Sequence, residues 1–209
     1  MLQGIVNLND DSEPLAPAPE LAQSVAAAEG RRQAMLSNLP PELVAAEDAL
    51  PTTLARLNAS PRVKLQRIYQ VIDQIGQHTA GYVACRSGCA DCCKMKAEIS
   101  DLEAGQIAAH TGRAVAKITR SIRHPVGTYC GVPCPFLVEE RCSIYDQRPR
   151  VCRQHISFDT SAYWCAPSRS GAVEMPLLGM SGVDAAYLAV VSASASAVVA
   201  DIRDFFPAE

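Results

Sequence analysis

The sequence predicts a mainly α domain of the α+β class. A helical N-terminal half and a C-terminal helix are expected to surround a small cysteine-rich module with a short β-hairpin. Two observations lead to this prediction. Apolar residues recur at helical spacing before residue 80, and all nine cysteines of the 209-residue chain lie between Cys85 and Cys165. Such a local cysteine density is typical of chains held together by disulfides or metal.

The composition excludes several classes of partner. With a formal net charge of −3, the chain has no overall field that would attract nucleic acid or anionic lipid. Aromatic residues make up only 5% of the chain, which argues against a base-stacking surface. The most apolar late stretch, residues 185–200, is too short and too rich in alanine and serine to span a bilayer. We therefore predict neither a nucleic-acid partner nor a membrane partner.

The first 80 residues divide into a tail and a helical region. Residues 1–19 are acidic, contain prolines and lack periodicity, which predicts a mobile tail. Residues 20–80 begin with an alanine-rich helix over 20–39. Prolines then indicate a second and a third short helix; they are Pro40, Pro41 and Pro51.

The strongest helix signal covers residues 61–76. Its apolar residues are spaced three and four apart and share one face; they are Leu65, Ile68, Ile72 and Ile75, with Val71 beside them. This pattern predicts an amphipathic helix whose stripe belongs to the hydrophobic core.

The cysteine-rich module is expected to occupy residues 81–165. Ser100 and Glu103 form a capping-box pattern, so a helix should begin at Ser100 and end before Gly112. Short apolar runs on either side of residues 139–141 predict a hairpin within 132–145. Asp146 is expected to cap a short helix that has Pro149 in its first turn and carries Cys152. Residues 166–209 are expected to form a linker and a final helix over 183–206.

The state of the cysteines depends on the compartment. Residues 1–13 show no basic and apolar segments of a secretory signal, so we expect a cytoplasmic protein whose thiols stay reduced. An odd number of cysteines also fits poorly with complete disulfide pairing. We therefore predict metal or cluster binding.

The cysteines fall into two blocks. The first block is CRSGCADCCK, which places four thiols within nine residues on a glycine-containing loop that can wrap one soft metal centre. The adjacent Cys92 and Cys93 point in different directions, so one can ligate while the other packs, or they can bridge two metals. The second block is spread over the hairpin and the short helix, which can bring its thiols to the first block. Cys130 is the expected spare.

These residues resemble the YkgJ-like cysteine-cluster family, which is described as zinc- or iron-chelating. The segments CRSGCADCCK and CPFLVEERCSIYDQRPRVCR match each element of the family pattern. The resemblance implies seven metal or cluster ligands: Cys85, Cys89, Cys92, Cys93, Cys134, Cys142 and Cys152. Cys165 fits the tail of longer members and is an eighth candidate.

The resemblance implies a chelating site more directly than an activity. Our leading interpretation is a protein that holds an iron–sulfur cluster or zinc in a redox or structural role. The alternatives are a metal-dependent enzyme, such as the protein lysine methyltransferase that shares a similar cysteine pattern, and a zinc-stabilised interaction module whose N-terminal helices bind a protein. The C-x3-C-x2-C-C spacing differs from the paired C-x2-C pattern common in structural zinc sites, so we favour the iron–sulfur cluster.

Overall fold

Residues 20–80 contain three helices. The computed structural model describes residues 20–86, 88–171, 174–194 and 196–207, so the predicted tail lies outside the described residues. The helices are α1 (Leu21–Ser37), α2 (Pro41–Arg56) and α3 (Pro61–Gln77). The expected break at Pro51 is wrong, because Pro51 lies inside α2. The residues before it keep helical geometry, although a proline removes a hydrogen bond there.

Helix α3 forms as its pattern predicts. Ser60 caps it by accepting a hydrogen bond from the backbone N–H of Val63, and Pro61 occupies the first turn, where its missing N–H has no consequence. The predicted stripe is buried: Leu65, Ile68, Ile72 and Ile75 are each at most 3% exposed. These side chains form the centre of the larger hydrophobic core.

The partner of these helices is α7 (Ser181–Ser192), which packs on both α2 and α3. The helices approach most closely at Gly182, where a Cβ atom would collide with the carbonyl oxygen of Glu47. The buried Glu47 carboxylate also accepts a hydrogen bond of 2.9 Å from the N–H of Val183. The start of α7 therefore requires a glycine against α2.

The expected final helix over 183–206 is wrong beyond Ser192. The chain instead forms strand β4 (Val199–Asp201) and a one-turn helix α8 (Ile202–Phe205). Strand β4 pairs antiparallel with β1 (Glu98–Ser100), with Ile99 opposite Ala200. Asp201 and Asp204 form a capping box that starts α8. Serines disfavour a helix interior, and β-branched Val198 and Val199 suit a strand, so the local preferences agree with this change.

The cysteine-rich part contains two more confirmed elements. Helix α4 (Asp101–Thr111) begins with the predicted capping box and ends at Gly112, which has a left-handed φ of 74°. The hairpin consists of β2 (Leu137–Val138) and β3 (Arg141–Cys142). Its two turn residues both have positive φ, as two-residue hairpin turns that match the strand twist require.

The short helix that carries Cys152 starts later than expected. Helix α5 is Arg150–Gln154 with Pro149 at its N-cap position, whereas Asp146 lies in a separate 3₁₀ turn. The residue before a proline is disfavoured in the helical region, so Arg148 cannot continue one helix from Asp146 through Pro149. A further one-turn helix, α6, covers Pro167–Ser170.

A second hydrophobic core supports the cysteine-rich part. Its largest members are three phenylalanines from the hairpin and the C-terminal end, Phe136, Phe205 and Phe206. Half-buried cysteines border this core: Cys134, Cys142 and Cys152. The fold is thus mainly α, as predicted, with two small antiparallel strand pairs. Among the described residues, no helix has the length and apolar character needed to cross a membrane.

Candidate metal centre

The eight candidate thiols come from separate segments of the chain. The loop after α3, with its 3₁₀ turn Asp91–Lys94, carries the first four: Cys85, Cys89, Cys92 and Cys93. The other four lie on the loop before β2, on β3, on α5 and on the 3₁₀ turn Tyr163–Cys165; they are Cys134, Cys142, Cys152 and Cys165. All nine cysteines have free thiols.

Backbone hydrogen bonds tie these segments to the first block. The N–H of Cys134 donates to the carbonyl of Cys93 at 2.7 Å, and that of Gly131 donates to Lys94 at 2.8 Å. At the other end, the N–H of Ala84 donates to the carbonyl of Ser157 at 2.8 Å. The first block therefore lies between the loop before the hairpin and the segment after α5.

Cys93 joins the first block to the hairpin through its side chain. Its thiol lies close to the sulfurs of both Cys92 and Cys142, and its single S–H can donate to either of them. Such a donation favours the thiolate form of the sulfur that accepts it. It lowers the pKa of Cys92 to about 7 and that of Cys142 to about 6, and it raises the pKa of Cys93 itself. Since the thiolate is the metal-ligating form, Cys92 and Cys142 are the members of this trio that are predisposed to bind a soft metal.

Cys134 and Cys152 lie beside the trio. Burial raises the pKa of both thiols, and the Cys152 sulfur also feels the charges of Cys134, Cys92 and Cys142. Five cysteines thus share one neighbourhood, which we call the hairpin group; they are Cys92, Cys93, Cys134, Cys142 and Cys152.

Of the remaining three candidate thiols, Cys85 and Cys165 lie beside Ser157, and the charge of Cys89 acts on both of them. We call these three the Ser157 group. The N–H of Ser157 donates to the sulfur of Cys85 at 3.4 Å, and Ser157 is also hydrogen-bonded to Cys165. Burial raises the pKa of Cys165 to about 11, and the charges of Cys85 and Cys89 add to this rise. Trp164 anchors the turn that carries Cys165 by donating to Ser24 of α1 at 3.1 Å.

The charge of Arg148 acts on thiols of both groups. Burial raises the pKa of Cys85, and the positive charge of Arg148 partly offsets this rise. The same charge contributes to the lowered pKa of Cys92 and Cys142. The guanidinium stacks on Tyr145 at 3.9 Å, and its buried Nε has no hydrogen-bond partner among the described residues. An anionic centre at the thiols would be stabilised by this charge.

Arg203 of α8 is a contributor that the sequence did not reveal. Its guanidinium donates to the carbonyls of Val132, Pro133 and Cys93, and it pairs with the fully buried Asp201 at 2.9 Å. Burial raises the pKa of Cys134, and the positive charge of Arg203 partly offsets this rise. No local pattern could identify it, because it reaches the cysteine loops only after β4 pairs with β1.

A buried carboxylate positions α5. Glu103 is 1% exposed and accepts hydrogen bonds from the hydroxyls of Tyr69 and Tyr187 and from the N–H of Arg150. Arg150 stacks on Tyr187, and Arg153 stacks on Tyr69, each at 4.4 Å. The helix that carries Cys152 is therefore held against α3, α4 and α7. The sequence identified Glu103 only as a capping residue.

Asp159 is a buried acidic residue in the segment after α5. It is 1% exposed, and its Oδ2 atom has no hydrogen-bond partner in the described part of the chain. Its Oδ1 accepts from the N–H of Thr160 at 2.7 Å, and its own N–H donates to the hydroxyl of Ser157. A buried carboxylate oxygen without a partner is unusual and is satisfied in many proteins by an ion.

Cys130 lies apart from both groups. Its thiol donates to the carbonyl of Pro167 at 3.1 Å, and it is exposed. Within residues 20–86, 88–171, 174–194 and 196–207, no three side chains of Cys, His, Asp or Glu form a ready-made metal site. The thiols thus lie in one region of the molecule, but the described residues do not form a closed coordination shell. The donor set, which is all sulfur, fits zinc or an iron–sulfur cluster.

Comparison with known proteins agrees with this chemistry. Residues 84–167 match the family model named CxxCxxCC, described as a "putative zinc- or iron-chelating domain". No curated protein and no solved structure matches the chain. The match begins immediately before Cys85 and extends beyond Cys165, so it includes both groups of thiols. Residues 84–167 are therefore similar to a cysteine-rich family that is described as zinc- or iron-chelating.

Proposed function

We propose that this protein is a cytoplasmic metal-binding protein whose hairpin group holds an iron–sulfur cluster in a redox or structural role. The observation that carries the proposal is the hydrogen bond of 2.7 Å from the N–H of Cys134 to the carbonyl of Cys93, which joins the first block of thiols to the loop before the hairpin. The nearby Cys92, Cys134 and Cys152 supply enough sulfur for four-thiolate ligation. Free thiols at all nine cysteines are compatible with a reducing compartment.

Three features favour a cluster over zinc in the hairpin group. The group contains five thiols and no histidine. Its positions do not form two C-x2-C pairs, which are frequent in structural zinc sites. The guanidinium groups of Arg148 and Arg203 lie close to its sulfurs, and nearby cations and N–H donors set the potential of iron–sulfur clusters.

Anaerobic purification followed by metal and sulfide analysis tests the proposal. The expected result is a coloured protein that contains iron and acid-labile sulfide and absorbs broadly in the visible range. A colourless protein with stoichiometric zinc and no acid-labile sulfide would contradict it. Substitution Cys142→Ser should abolish the colour, whereas Cys130→Ser should preserve it, because the Cys130 thiol bonds to a backbone carbonyl away from the group.

The second candidate function is a zinc-stabilised interaction module. One observation favours it, a groove of about 430 Å³ between α2 and α3. Leu50, Leu54, Leu57 and Val71 contribute apolar surface to the groove, and Arg67 adds a positive charge at its edge. An apolar protein segment carrying an acidic residue would fit this chemistry. The enzyme alternative gains no comparable observation from the described residues and stays a prediction from the resemblance.

The groove can be tested separately from the metal. Leu57→Glu places a charge at the exposed apolar edge, and Val44→Glu is a matched control because Val44 is similarly exposed on α2 but is not part of the groove. In cross-linking and mass spectrometry from the native lysate, Leu57→Glu should remove a partner that Val44→Glu retains. Equal recovery with both variants would contradict an interaction role for the groove.

A further inference from the structure

A positively charged segment lies between the two cysteine blocks. Residues 117–123 have the sequence KITRSIR, with three cations and no acidic residue, although the whole chain has a formal net charge of −3. We call this segment the basic loop. It forms neither a helix nor a strand, and its three cationic side chains are exposed; they are Lys117, Arg120 and Arg123. The proposed metal-binding function uses none of these residues.

The C-terminal elements fix the position of the basic loop. The N–H of Ala116 donates to the carbonyl of Phe205 at 2.8 Å, and that of Ile122 donates to the carbonyl of Val199 at 3.0 Å. Ile118 and Ile122 also pack against the second hydrophobic core. Because these contacts already hold the loop, a partner that binds it has little ordering cost to overcome on this side.

The cations of the basic loop form no ion pair with the described residues. Two acids near the adjoining His124 are already engaged, since Asp204 contacts His124 at 2.8 Å and Glu98 pairs with Lys96 at 2.9 Å. Cations three residues apart are separated by at most about 10 Å along the chain, close to the screening length of about 8 Å at physiological salt. Their fields therefore overlap and are available to an external anion.

The backbone of the basic loop is open as well. Between the two anchoring bonds, the N–H and C=O groups of residues 117–121 make no backbone hydrogen bond to any described residue. The chain bends at Arg120, and the whole loop lines a depression of about 620 Å³. The three cations border this depression together with the hydroxyl groups of Thr119 and Ser121. Positive charge and hydrogen-bonding groups therefore border one shared space.

The shape of the depression favours an extended ligand over a small molecule. Pockets for small molecules bury about 70–90% of the ligand surface, whereas consecutive residues of one segment provide only a single wall here. An extended peptide needs only one side, because its main chain can bond to an open backbone while its side chains meet the cations. The basic loop contains no aromatic residue on which a nucleic-acid base could stack. An acidic protein segment fits these features best.

We propose that the basic loop is a docking surface for an extended acidic segment of a partner protein. Carboxylates of the segment pair with Lys117, Arg120 and Arg123, and its main chain bonds to the open backbone of residues 117–121. The surface goes beyond the proposed metal-binding function and does not depend on which metal the thiols hold.

Fluorescence anisotropy with the full chain tests the docking surface. The probe is a fluorescein-labelled peptide of alternating glutamate and glycine, and the same peptide with glutamine in place of glutamate is its uncharged control. The glutamate peptide should bind with a Kd that rises with salt concentration. The double variant Arg120→Gln/Arg123→Gln should raise this Kd about tenfold, because two exposed ion pairs are lost. The matched control Arg56→Gln/Arg62→Gln removes the same charge from two exposed arginines of α2 and α3 and should change the Kd less than about twofold.

The outcomes separate this surface from general electrostatic attraction and from the metal centre. Equal weakening by both double variants, or equal binding of the glutamine peptide, would overturn the proposal. A photoactivatable group in the glutamate peptide should cross-link to residues 113–124, and cross-links found only elsewhere would contradict it. Tighter binding of an oligothymidylate, lost in Arg120→Gln/Arg123→Gln, would assign the loop to nucleic acid and overturn the protein partner. Metal and sulfide content measured on the same variants should equal that of the wild type, so failure of the docking surface leaves the proposed function standing.

Discussion

At the scale of single residues, Gly182 shows how close packing constrains the N-terminal core. A methyl group at this position would overlap the backbone of Glu47, which a buried helix cannot move easily. We predict that Gly182→Ala lowers the free energy of unfolding by about 1–3 kcal/mol. Gly105→Ala is the matched control, because Gly105 lies inside α4 with open space around its Cβ position. The control should be stabilised by about 0.5–1 kcal/mol.

Urea unfolding of the metal-loaded protein measures both changes. We expect Gly182→Ala to lower the urea concentration at the unfolding midpoint and Gly105→Ala to raise it. If both alanine variants were equally stable, the close approach of α7 to α2 would not be a constraint on the fold.

Glu103 provides a second residue-scale prediction. Both of its carboxylate oxygens accept hydrogen bonds from donors of other elements, including Tyr69 on Oε1 and Tyr187 on Oε2. Glutamine would direct an N–H₂ group at one of these donors, so Glu103→Gln should cost about 2–3 kcal/mol of folding free energy. Glu98→Gln is the control, since Glu98 makes only a partly exposed ion pair with Lys96 and should change stability by less than about 1 kcal/mol.

The effect of Glu103→Gln can also be measured as the rate at which the protein releases metal to a chelator. Helix α5 carries Cys152, so loosening it should speed the release of metal to a chelator. Equal release rates for Glu103→Gln and Glu98→Gln would show that the position of α5 does not depend on this carboxylate.

At the scale of elements, the sequence predicted those helices and turns that are determined by interactions between residues close together in the chain. The stripe of α3, the capping box of α4 and the hairpin turn are each determined by residues within one segment. The end of α7 and the pairing of β4 with β1 were missed because they depend on contacts across about one hundred residues of chain, for example that between Ala97 and Asp201. The motif indicated candidate cysteines, but it could not show that Arg203 donates to the carbonyl of Cys93.

The C-terminal element makes a testable contribution to the cysteine loops. Arg203 pairs with the fully buried Asp201 and donates to carbonyls of the loop that leads to Cys134. Arg203→Met leaves the carboxylate of Asp201 without its cation, and breaking a buried pair in this way costs about 3–5 kcal/mol. Arg169→Met is a control, because Arg169 donates to one carbonyl and stacks on Tyr163 at a half-buried surface.

Thermal unfolding and metal content together measure this effect. Arg203→Met should unfold at a lower temperature and retain less metal from the hairpin group than Arg169→Met does. Wild-type metal retention in Arg203→Met would show that α8 does not hold the cysteine loops in place.

At the scale of the whole molecule, the segment that matches the family model is held by regions outside the match. Arg31 of α1 donates to the carbonyl of Tyr82 just before the first block, and Trp164 beside Cys165 donates to Ser24 of α1. The C-terminal strand β4 and helix α8 hold the opposite side. The two hydrophobic clusters differ in composition, since half-buried cysteines border only the cluster near the hairpin.

This difference predicts how metal removal should affect the protein. The buried stripe of α3 packs without any cysteine, so it should keep its protection from hydrogen exchange when a chelator strips the metal. Exchange should increase in the turn Asp91–Lys94 and in the hairpin β2–β3, because their positions depend on a closed coordination shell. Hydrogen-exchange mass spectrometry of loaded and stripped protein measures both regions, with re-addition of metal as the reversibility control. Loss of protection in α3 together with the hairpin would instead show that metal stabilises one cooperative unit, and unchanged exchange everywhere would show that the metal does not staple the fold.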